Sequence, residues 1–191
     1  KYIMKISFVI PCYNSQKTIL EVIKEITDVM QTNYEFTFEI ILISDNSPDD
    51  VFNVIKEESR NKFHIKGIEL AKNFGQHAAL IAGYNHSTGD IVVSLDDDGQ
   101  TPANEVFKLI DKLNEGYDVV YASYRDKRHN YFRNLGSKLN DLMAECLISK
   151  PKNLKVSSFF CAKKFVIDEM KKYDKAYPYL LGLVLRTTQN V

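Results

Sequence analysis

The chain has 191 residues, 45% of them hydrophobic, so it can bury a core and is not a disordered segment. It carries 25 basic and 25 acidic residues, and this zero formal net charge disfavours nucleic-acid binders, which usually have a basic excess. The three cysteines, Cys12, Cys146 and Cys161, fit neither a zinc site nor a disulfide framework, and no apolar run approaches the ~20 residues of a membrane span.

Short apolar runs alternate with amphipathic stretches along the chain. The first part of this pattern predicts strands at 5–11, 38–43, 64–70, 90–95 and 117–123, with helices between them at 14–30, 47–60, 76–86 and 102–114. The second helix has a strong start signal, because Ser47 suits the N-cap and Pro48 the first helical position. Beyond Arg128 the pattern predicts a helix at 131–148, a strand at 156–161 and a helix at 163–172.

This alternation of strands and helices predicts an α/β fold. Continuous apolar strands between amphipathic helices indicate a mostly parallel sheet with helices on both faces. Without an internal linker or repeat, residues 1–191 are expected to form one domain. Ligands of such sheets bind at the carboxyl ends of the strands, near a point where the strand order reverses. The segments that follow the strands are therefore the candidate binding segments.

Three consecutive carboxylates, Asp96, Asp97 and Asp98, follow the fourth predicted strand. Their mutual repulsion is costly unless a cation or solvent compensates it. Strand alternation predicts that Asp96 and Asp98 point to the same side, and with Gln100 they offer hard oxygen ligands for Mg²⁺ or Mn²⁺. The alternative is a solvated acidic turn before the helix that begins at Pro102.

Two further turns carry polar side chains. Asp45 follows the second strand and offers a carboxylate that can accept a hydrogen bond from a base imide or a ribose hydroxyl, although an Asx turn explains it equally well. The first strand runs into Pro11-Cys12-Tyr13-Asn14, which places a ring and an amide at a strand-to-helix turn, although simple turn chemistry also explains this segment.

The combination is more specific than any of its parts. In order and spacing, the chain resembles family 2 glycosyltransferases, which have the GT-A fold, through Val9-Ile10-Pro11-Cys12-Tyr13-Asn14, Asp45-Asn46-Ser47-Pro48-Asp49, Asn73-Phe74-Gly75 and Gly89-Asp90 leading into Asp96-Asp97-Asp98. Within that family it is most similar to the polyprenyl-phosphate glycosyltransferases, the group of dolichyl-phosphate mannose synthase. That similarity rests on residues 73–83, on Asp98-Gly99-Gln100-Thr101-Pro102 and on residues 116–121.

The resemblance assigns roles to individual residues. It implies that the nucleoside is held by Pro11, Tyr13, Asn14, Asp45 and Asn73. It also implies that Asp98 and Gln100 are metal ligands and that Asp96 faces the ribose or shares the ion. Arg125, Arg128 and Arg133 would contact the diphosphate, although a solvated basic loop is an equally good explanation of these arginines.

The chain departs from the family pattern in four places. One acid of the Asp-Asp-Gly-Ser motif is replaced, because this chain reads Ser44-Asp45-Asn46-Ser47. In the first turn, Ser15 stands where relatives commonly have an acid directly after Tyr-Asn. The central residue of the Asp-x-Asp motif is itself acidic, Asp97. Where relatives often have an arginine, the chain reads Ser157-Ser158-Phe159-Phe160, which puts an acceptor or phosphate contact near Phe160 in doubt. The chain has no Trp and no Gln-x-x-Arg-Trp motif, which argues against a processive polysaccharide synthase.

The resemblance implies an inverting, metal-dependent transfer from a UDP- or GDP-sugar. Asp98 and Asp97 are the catalytic candidates: Asp98 through the metal, which would stabilise the leaving diphosphate, and Asp97 as a general base. An anionic lipid phosphate needs no base, whereas a saccharide hydroxyl would need one. The rival hypotheses are a nucleotidyltransferase, disfavoured because no Gly-rich basic loop follows the first strand, and a non-catalytic sugar-nucleotide-binding module. A dinucleotide oxidoreductase is disfavoured because G-x-G-x-x-G is absent.

A polyprenyl-phosphate acceptor also carries expectations about location. The 191 residues are expected to be a soluble fragment of a longer protein that works at the cytoplasmic face of a membrane, attached through a C-terminal part beyond Val191. Such a fragment is expected to bind donor but to transfer sugar poorly. The alternative is a complete soluble enzyme with a diffusible acceptor. No nucleic-acid partner is expected, and a homo-oligomer is left open.

Overall fold

The computed structural model describes residues 3–123, 151 and 154–191. Within them the strands are β1 (Met4–Cys12), β2 (Phe36–Ser44), β3 (Ile65–Glu69), β4 (Ile91–Ser94), β5 (Val119–Tyr121) and β6 (Phe160–Lys163). The helices are α1 (Ile19–Gln31), α2 (Val51–Asn61), α3 (Gln76–His86), α4 (Val106–Asn114), α5 (Lys164–Met170) and α6 (Leu180–Thr187), and a 3-10 turn at Ala103–Glu105 precedes α4.

The described strands form one sheet in the order β3-β2-β1-β4-β6-β5. The pairs β1–β2, β1–β4 and β2–β3 are parallel, whereas β6 runs antiparallel to β4 and to β5. The predicted α/β fold with a mostly parallel sheet is therefore confirmed. Since the chain builds β2 and β3 on one side of β1 and then crosses to β4 on the other, the strand order reverses between β1 and β4.

Each face of the sheet is covered by helices, as its apolar strands require. Alternate residues of β1 point to opposite faces, so that Phe8 belongs to a core with α1, α2 and α4, while Val9 belongs to a core with α3, α5 and α6. Helix α3 approaches the sheet closely through Gly83, where a Cβ atom would lie 2.4 Å from Val9 Cγ1. This close packing brings the first residues of α3 beside the carboxyl ends of the strands.

Four predicted elements begin at least four residues later in the structure, and one of them is α4, which begins at Val106 rather than at Pro102, after the 3-10 turn. Helix α1 begins at Ile19 rather than at Asn14, because Asn14 has a left-handed backbone with φ of 57° and belongs to a turn. The strand expected at 156–161 lies at 160–163.

Helix α2 begins at Val51, so the assignment of Ser47 as its N-cap was wrong. The Ser47 hydroxyl is used elsewhere: it accepts a hydrogen bond from the backbone N–H of Asn14 at 2.8 Å and donates one to Asp49 Oδ1 at 2.6 Å. It thereby ties the turn after β1 to the turn after β2.

None of the helices in the described ranges is long and apolar enough to cross a membrane.

Candidate active site

A pocket of about 350 Å³ opens where β1, β2 and β4 end, at the point where the strand order reverses. Most of the residues predicted to bind the donor meet in it. Its lining consists of Pro11, Cys12, Tyr13, Asp45, Asn73, Gly75, Gln76, Asp96, Asp97 and Asp98. Asn14 and Gln100 are exposed near these residues but do not line the pocket.

One wall of the pocket is held by Asp45, which is only 4% exposed. Its Oδ1 accepts the backbone N–H of Phe74 and its Oδ2 accepts that of Gly75, both at 2.8 Å. Gly75 has φ of 87°, a conformation that glycine adopts without strain. The buried carboxylate therefore fixes the turn that leads into α3 and presents Asn73 to the pocket.

The turn after β1 forms the opposite wall. The Tyr13 ring is 48% exposed at the mouth of the pocket, and the backbone N–H of Tyr13 donates to Asp97 Oδ2 at 2.9 Å. The Thr18 hydroxyl donates to the Asp97 backbone carbonyl at 2.6 Å. Asp97 thus joins the end of β1 to the end of β4.

The three consecutive carboxylates do not follow strand alternation. Strand β4 ends at Ser94, so all three lie in the loop that follows it and their directions are set by separate partners. Asp96 contacts the side chains of Gln76 and Ser158, whereas Asp98 Oδ1 accepts the backbone N–H of Gln100 at 2.9 Å. The expectation that an alternating strand aligns Asp96 with Asp98 is corrected accordingly, although both line the same pocket.

The environment of Asp97 differs from that of its neighbours. Burial raises the pKa of the Asp97 carboxyl above its ordinary value, and the charge of Asp96 acts in the same direction. The hydrogen bond from Tyr13 N–H opposes that rise in pKa. The carboxylate is therefore a half-buried link between two loops as well as a pocket-lining group.

The carboxylate oxygens of Asp96 and Asp98 suit a divalent cation that keeps part of its hydration shell. Among residues 3–123, 151 and 154–191 no group of three or more His, Cys, Asp and Glu side chains is arranged to hold a metal. Asp96 and Asp98 nevertheless place two carboxylates on one pocket, and Mg²⁺ is often bound by one or two carboxylates together with waters and substrate phosphates. Asp96, Asp98 and Gln100 therefore fit such an ion in their chemistry.

Two residues of the site escaped the sequence analysis as functional candidates: Gln76, which lines the pocket, and Ser158, whose hydroxyl contacts Asp96. Gln76 directly follows the Asn73-Phe74-Gly75 motif, and this position could have identified it as a site residue. Ser158 lies in a stretch that stood out only as a departure from the family pattern. The predicted diphosphate contacts Arg125, Arg128 and Arg133, the predicted helix at 131–148 and Cys146 lie outside the described residues.

Solved structures of nucleotide-sugar transferases are similar to this fold. Mannosyl-3-phosphoglycerate synthase from Rubrobacter xylanophilus superposes with a TM-score of 0.70 at 16% identity, over 87% of this chain and 56% of its own. Glucosyl-3-phosphoglycerate synthase from Mycobacterium tuberculosis, solved with Mn²⁺, UDP-glucose and phosphoglyceric acid, has a TM-score of 0.65 at 19% identity, over 87% and 59%. A mannosyltransferase from Pyrobaculum calidifontis, solved with GDP-mannose and Mn²⁺, has a TM-score of 0.63 at 18% identity, over 87% and 46%.

These similarities are structural, since the identities are low and the chain spans only about half the length of the proteins that it matches. They establish the GT-A fold. The sequence itself matches the profile of Glycosyl transferase family 2 over residues 7–169, which includes every described residue that lines the pocket. Because this match covers most of the chain, the protein belongs to glycosyl transferase family 2.

Proposed function

We propose that this protein is an inverting glycosyltransferase that moves a sugar from a UDP- or GDP-sugar to a polyprenyl phosphate. The observation that carries the proposal is the pocket between β1 and β4, which combines a planar ring, a buried carboxylate and two pocket-lining acids in a family 2 chain. A nucleoside diphosphate offers matching groups: a flat base, a ribose diol and phosphates that bind divalent cations.

In this proposal the nucleoside lies against the ring of Tyr13 and beside Pro11 and Asn73. Asp45 orders the wall that the nucleoside contacts, since its two oxygens hold the turn at Phe74 and Gly75. Asn14 helps to shape the nucleoside site through its turn, which is held by the hydrogen bond from its backbone N–H to the Ser47 hydroxyl. Both UDP-glucose and GDP-mannose occur in structures with this fold, so both bases are included.

Asp96, Asp98 and Gln100 are the proposed ligands of Mg²⁺ or Mn²⁺. Such an ion supplies positive charge against the negative charge that develops on the leaving diphosphate. Both carboxylates lie in the loop after β4, which is anchored by Thr18, just before α1, and by Gln76, the first residue of α3. Arg125, Arg128 and Arg133 are proposed as further diphosphate contacts.

A second groove supports a lipid-phosphate acceptor. It has a volume of about 640 Å³ and shares Asn73 and Gly75 with the donor pocket. Its lining includes the aromatic residues Phe74, Tyr173 and Tyr177. It also includes Lys72 and the ion pair of Lys175 with Asp174, in which the ammonium nitrogen lies 3.2 Å from Oδ1. The Lys72 ammonium stands 4.9 Å from the centre of the Phe74 ring. Aromatic surface combined with positive charge suits an amphiphilic anion that must reach the donor sugar.

In this scheme Asp97 is not needed as a general base. A phosphate acceptor is already an anion, so no general base is required. The alternative, transfer to a saccharide hydroxyl, needs a base, and Asp97 is the candidate for it. Its Oδ2 is bound to Tyr13 N–H, which gives Asp97 a linking role in either scheme.

The proposal is tested by supplying UDP- and GDP-sugars with Mn²⁺ and either a polyprenyl phosphate in detergent or a soluble saccharide. Sugar transfer to the lipid phosphate, with inverted anomeric configuration, is the expected result. Transfer to saccharides alone would replace the lipid acceptor by the alternative. Nucleotide binding without hydrolysis or transfer would identify a non-catalytic binding module.

Asp45→Ala is expected to weaken UDP or GDP binding by ~1–3 kcal/mol, because it strands two backbone N–H groups and loosens the pocket wall. Calorimetry on the folded variant measures this change. Asp111→Ala is a control, since Asp111 is an exposed acid on α4 that does not line the pocket. An unchanged dissociation constant for Asp45→Ala would remove Asp45 from the donor site.

Tyr177→Asn is expected to raise the KM for polyprenyl phosphate about 5-fold and to leave donor hydrolysis unchanged, because a lost aromatic contact costs roughly 1 kcal/mol. Tyr177 is 88% exposed in the acceptor groove, and asparagine tolerates its positive φ of 58°. The control is Tyr34→Asn, since Tyr34 is 90% exposed in the connection before β2, away from the strand ends that form the site. Equal acceptor KM values for the wild type, Tyr177→Asn and Tyr34→Asn would exclude the groove as the acceptor site.

A further inference from the structure

Asp96 is held by side chains from two distant parts of the chain. Gln76, the first residue of α3, donates from Nε2 to Asp96 Oδ1 at 3.1 Å. Ser158, in the segment that leads into β6, donates from its hydroxyl to Asp96 Oδ2. One hydrogen bond on each oxygen restricts rotation of the carboxylate plane. Each oxygen keeps a further lone pair, so the group can still accept from, or coordinate, a ligand in the pocket.

Both donors are themselves anchored. Gln76 follows the turn whose backbone N–H groups bind the buried Asp45 carboxylate. On the other side, Ser158 is followed by Phe159 and Phe160, which are 2% and 3% exposed. Phe160 pairs with Ser94 at the end of β4, two residues before Asp96. The hydroxyl of Ser158 is therefore delivered to Asp96 by the antiparallel pairing of β6 with β4.

The neighbouring serine provides a contrast. Ser157 also makes hydrogen bonds with its hydroxyl, to the backbone carbonyls of Ala122 and Phe159, both at 2.8 Å. These contacts fasten the segment to the end of β5 and do not reach the pocket. The two adjacent serines therefore have different partners: Ser157 attaches the segment to the end of β5, and Ser158 contacts an acid of the site.

We propose that Gln76 and Ser158 are positioning residues that orient the Asp96 carboxylate toward the bound nucleotide and its cation. The inference rests on the proposed function, because it takes the pocket to be the donor site. It adds residues to which the sequence comparison assigned no role. It also gives the antiparallel strand β6 an indirect part in donor binding, since the segment that leads into β6 carries the hydroxyl that contacts Asp96.

The test is titration calorimetry of the full 191-residue chain with UDP or GDP, each with and without Mn²⁺. Ser158→Ala is expected to weaken Mn²⁺-dependent nucleotide binding about 10-fold, in the range typical for residues that orient metal-binding side chains. Ser158→Thr keeps the hydroxyl and is expected to restore most of the affinity. Gln76→Ala is expected to weaken binding in the same direction.

Ser157→Ala is the matched control, and thermal unfolding is measured for every variant. A loss of affinity in Ser158→Ala but not in Ser157→Ala supports positioning through Asp96. Wild-type affinity in Ser158→Ala, or the same loss in Ser157→Ala, would overturn the inference and leave the proposed function intact. Failure of the wild-type chain to bind either nucleotide would overturn both.

Discussion

Asp98→Asn is expected to lower turnover of the sugar donor at least ~10²-fold, since removing a group that stabilises transition-state charge typically costs a few kcal/mol. Asparagine has nearly the shape of aspartate but lacks the negative charge that attracts a divalent cation and offsets its charge. Asp98 lines the pocket and is exposed, and its carboxylate accepts a hydrogen bond from the backbone N–H of Gln100, which an asparagine oxygen can still accept. The substitution should therefore leave the fold intact, and the loss can be attributed to the charge.

Donor hydrolysis and Mn²⁺ affinity are the two measurements. Asp50→Asn is the control, because Asp50 is an exposed acid just before α2 that does not line the pocket. Asp97→Asn is informative in a second way: a smaller effect than that of Asp98→Asn favours a lipid-phosphate acceptor, whereas a comparable loss favours a base-dependent reaction. Near-wild-type activity of Asp98→Asn would exclude Asp98 as a metal ligand.

The second large effect concerns stability and involves Glu39, an acid buried inside the sheet. Glu39 is 2% exposed and lies opposite Ser7 in the β1–β2 pairing. Its Oε2 binds the ammonium groups of Lys5 at 3.0 Å and Lys66 at 2.8 Å, and its Oε1 accepts from the Ser7 hydroxyl at 2.6 Å and from Thr88 N–H at 2.8 Å. These contacts join β1, β2, β3 and the segment before β4.

Burial alone would raise the pKa of Glu39. The hydrogen bonds from Lys66, Ser7, Thr88 and Lys5 outweigh it and lower the pKa from 4.5 to about 2. A depressed pKa means that the folded state binds this proton less readily than the unfolded state. The resulting stabilisation is complete above pH 4.5 and is lost as the pH falls toward 2. By linkage it amounts to about 3 kcal/mol at neutral pH.

Glu39→Gln is therefore expected to lower the free energy of unfolding by about 3 kcal/mol at pH 7, and the deficit should shrink as the pH falls from 4.5 toward 2. Urea denaturation at pH 7, 5, 4 and 3 measures both quantities. Glu57→Gln is the control, since Glu57 is exposed on α2 and surface changes are usually within about 0.5 kcal/mol. A deficit that stayed constant over this pH range would contradict the assigned role of the Glu39 charge.

The order of the elements from β1 to β5 and the place of the candidate site at the strand ends could be predicted from the sequence. Buried strands such as β1 and β2 are continuous apolar runs, and α1 carries its buried apolar residues at helical spacing, so both types of element are specified by nearby residues. In a parallel sheet, polar residues that directly follow the strands must gather at one edge. For this reason Tyr13, Asp45 and Asp96 could be assigned to one pocket before any contact was known.

The hydrogen-bond partners of these residues were decided by the tertiary structure alone. Tyr13 N–H binds Asp97, and Ser158 binds Asp96, across 84 and 62 residues of sequence. Ser47 resembles a helix cap in its local sequence, but it binds the turn at Asn14, 33 residues away. Local patterns carry no information about such pairs, because their geometry depends on strand register and on how closely α3 packs against the sheet. The sequence therefore specified which residues reach the edge of the sheet, and folding determined how each is oriented there.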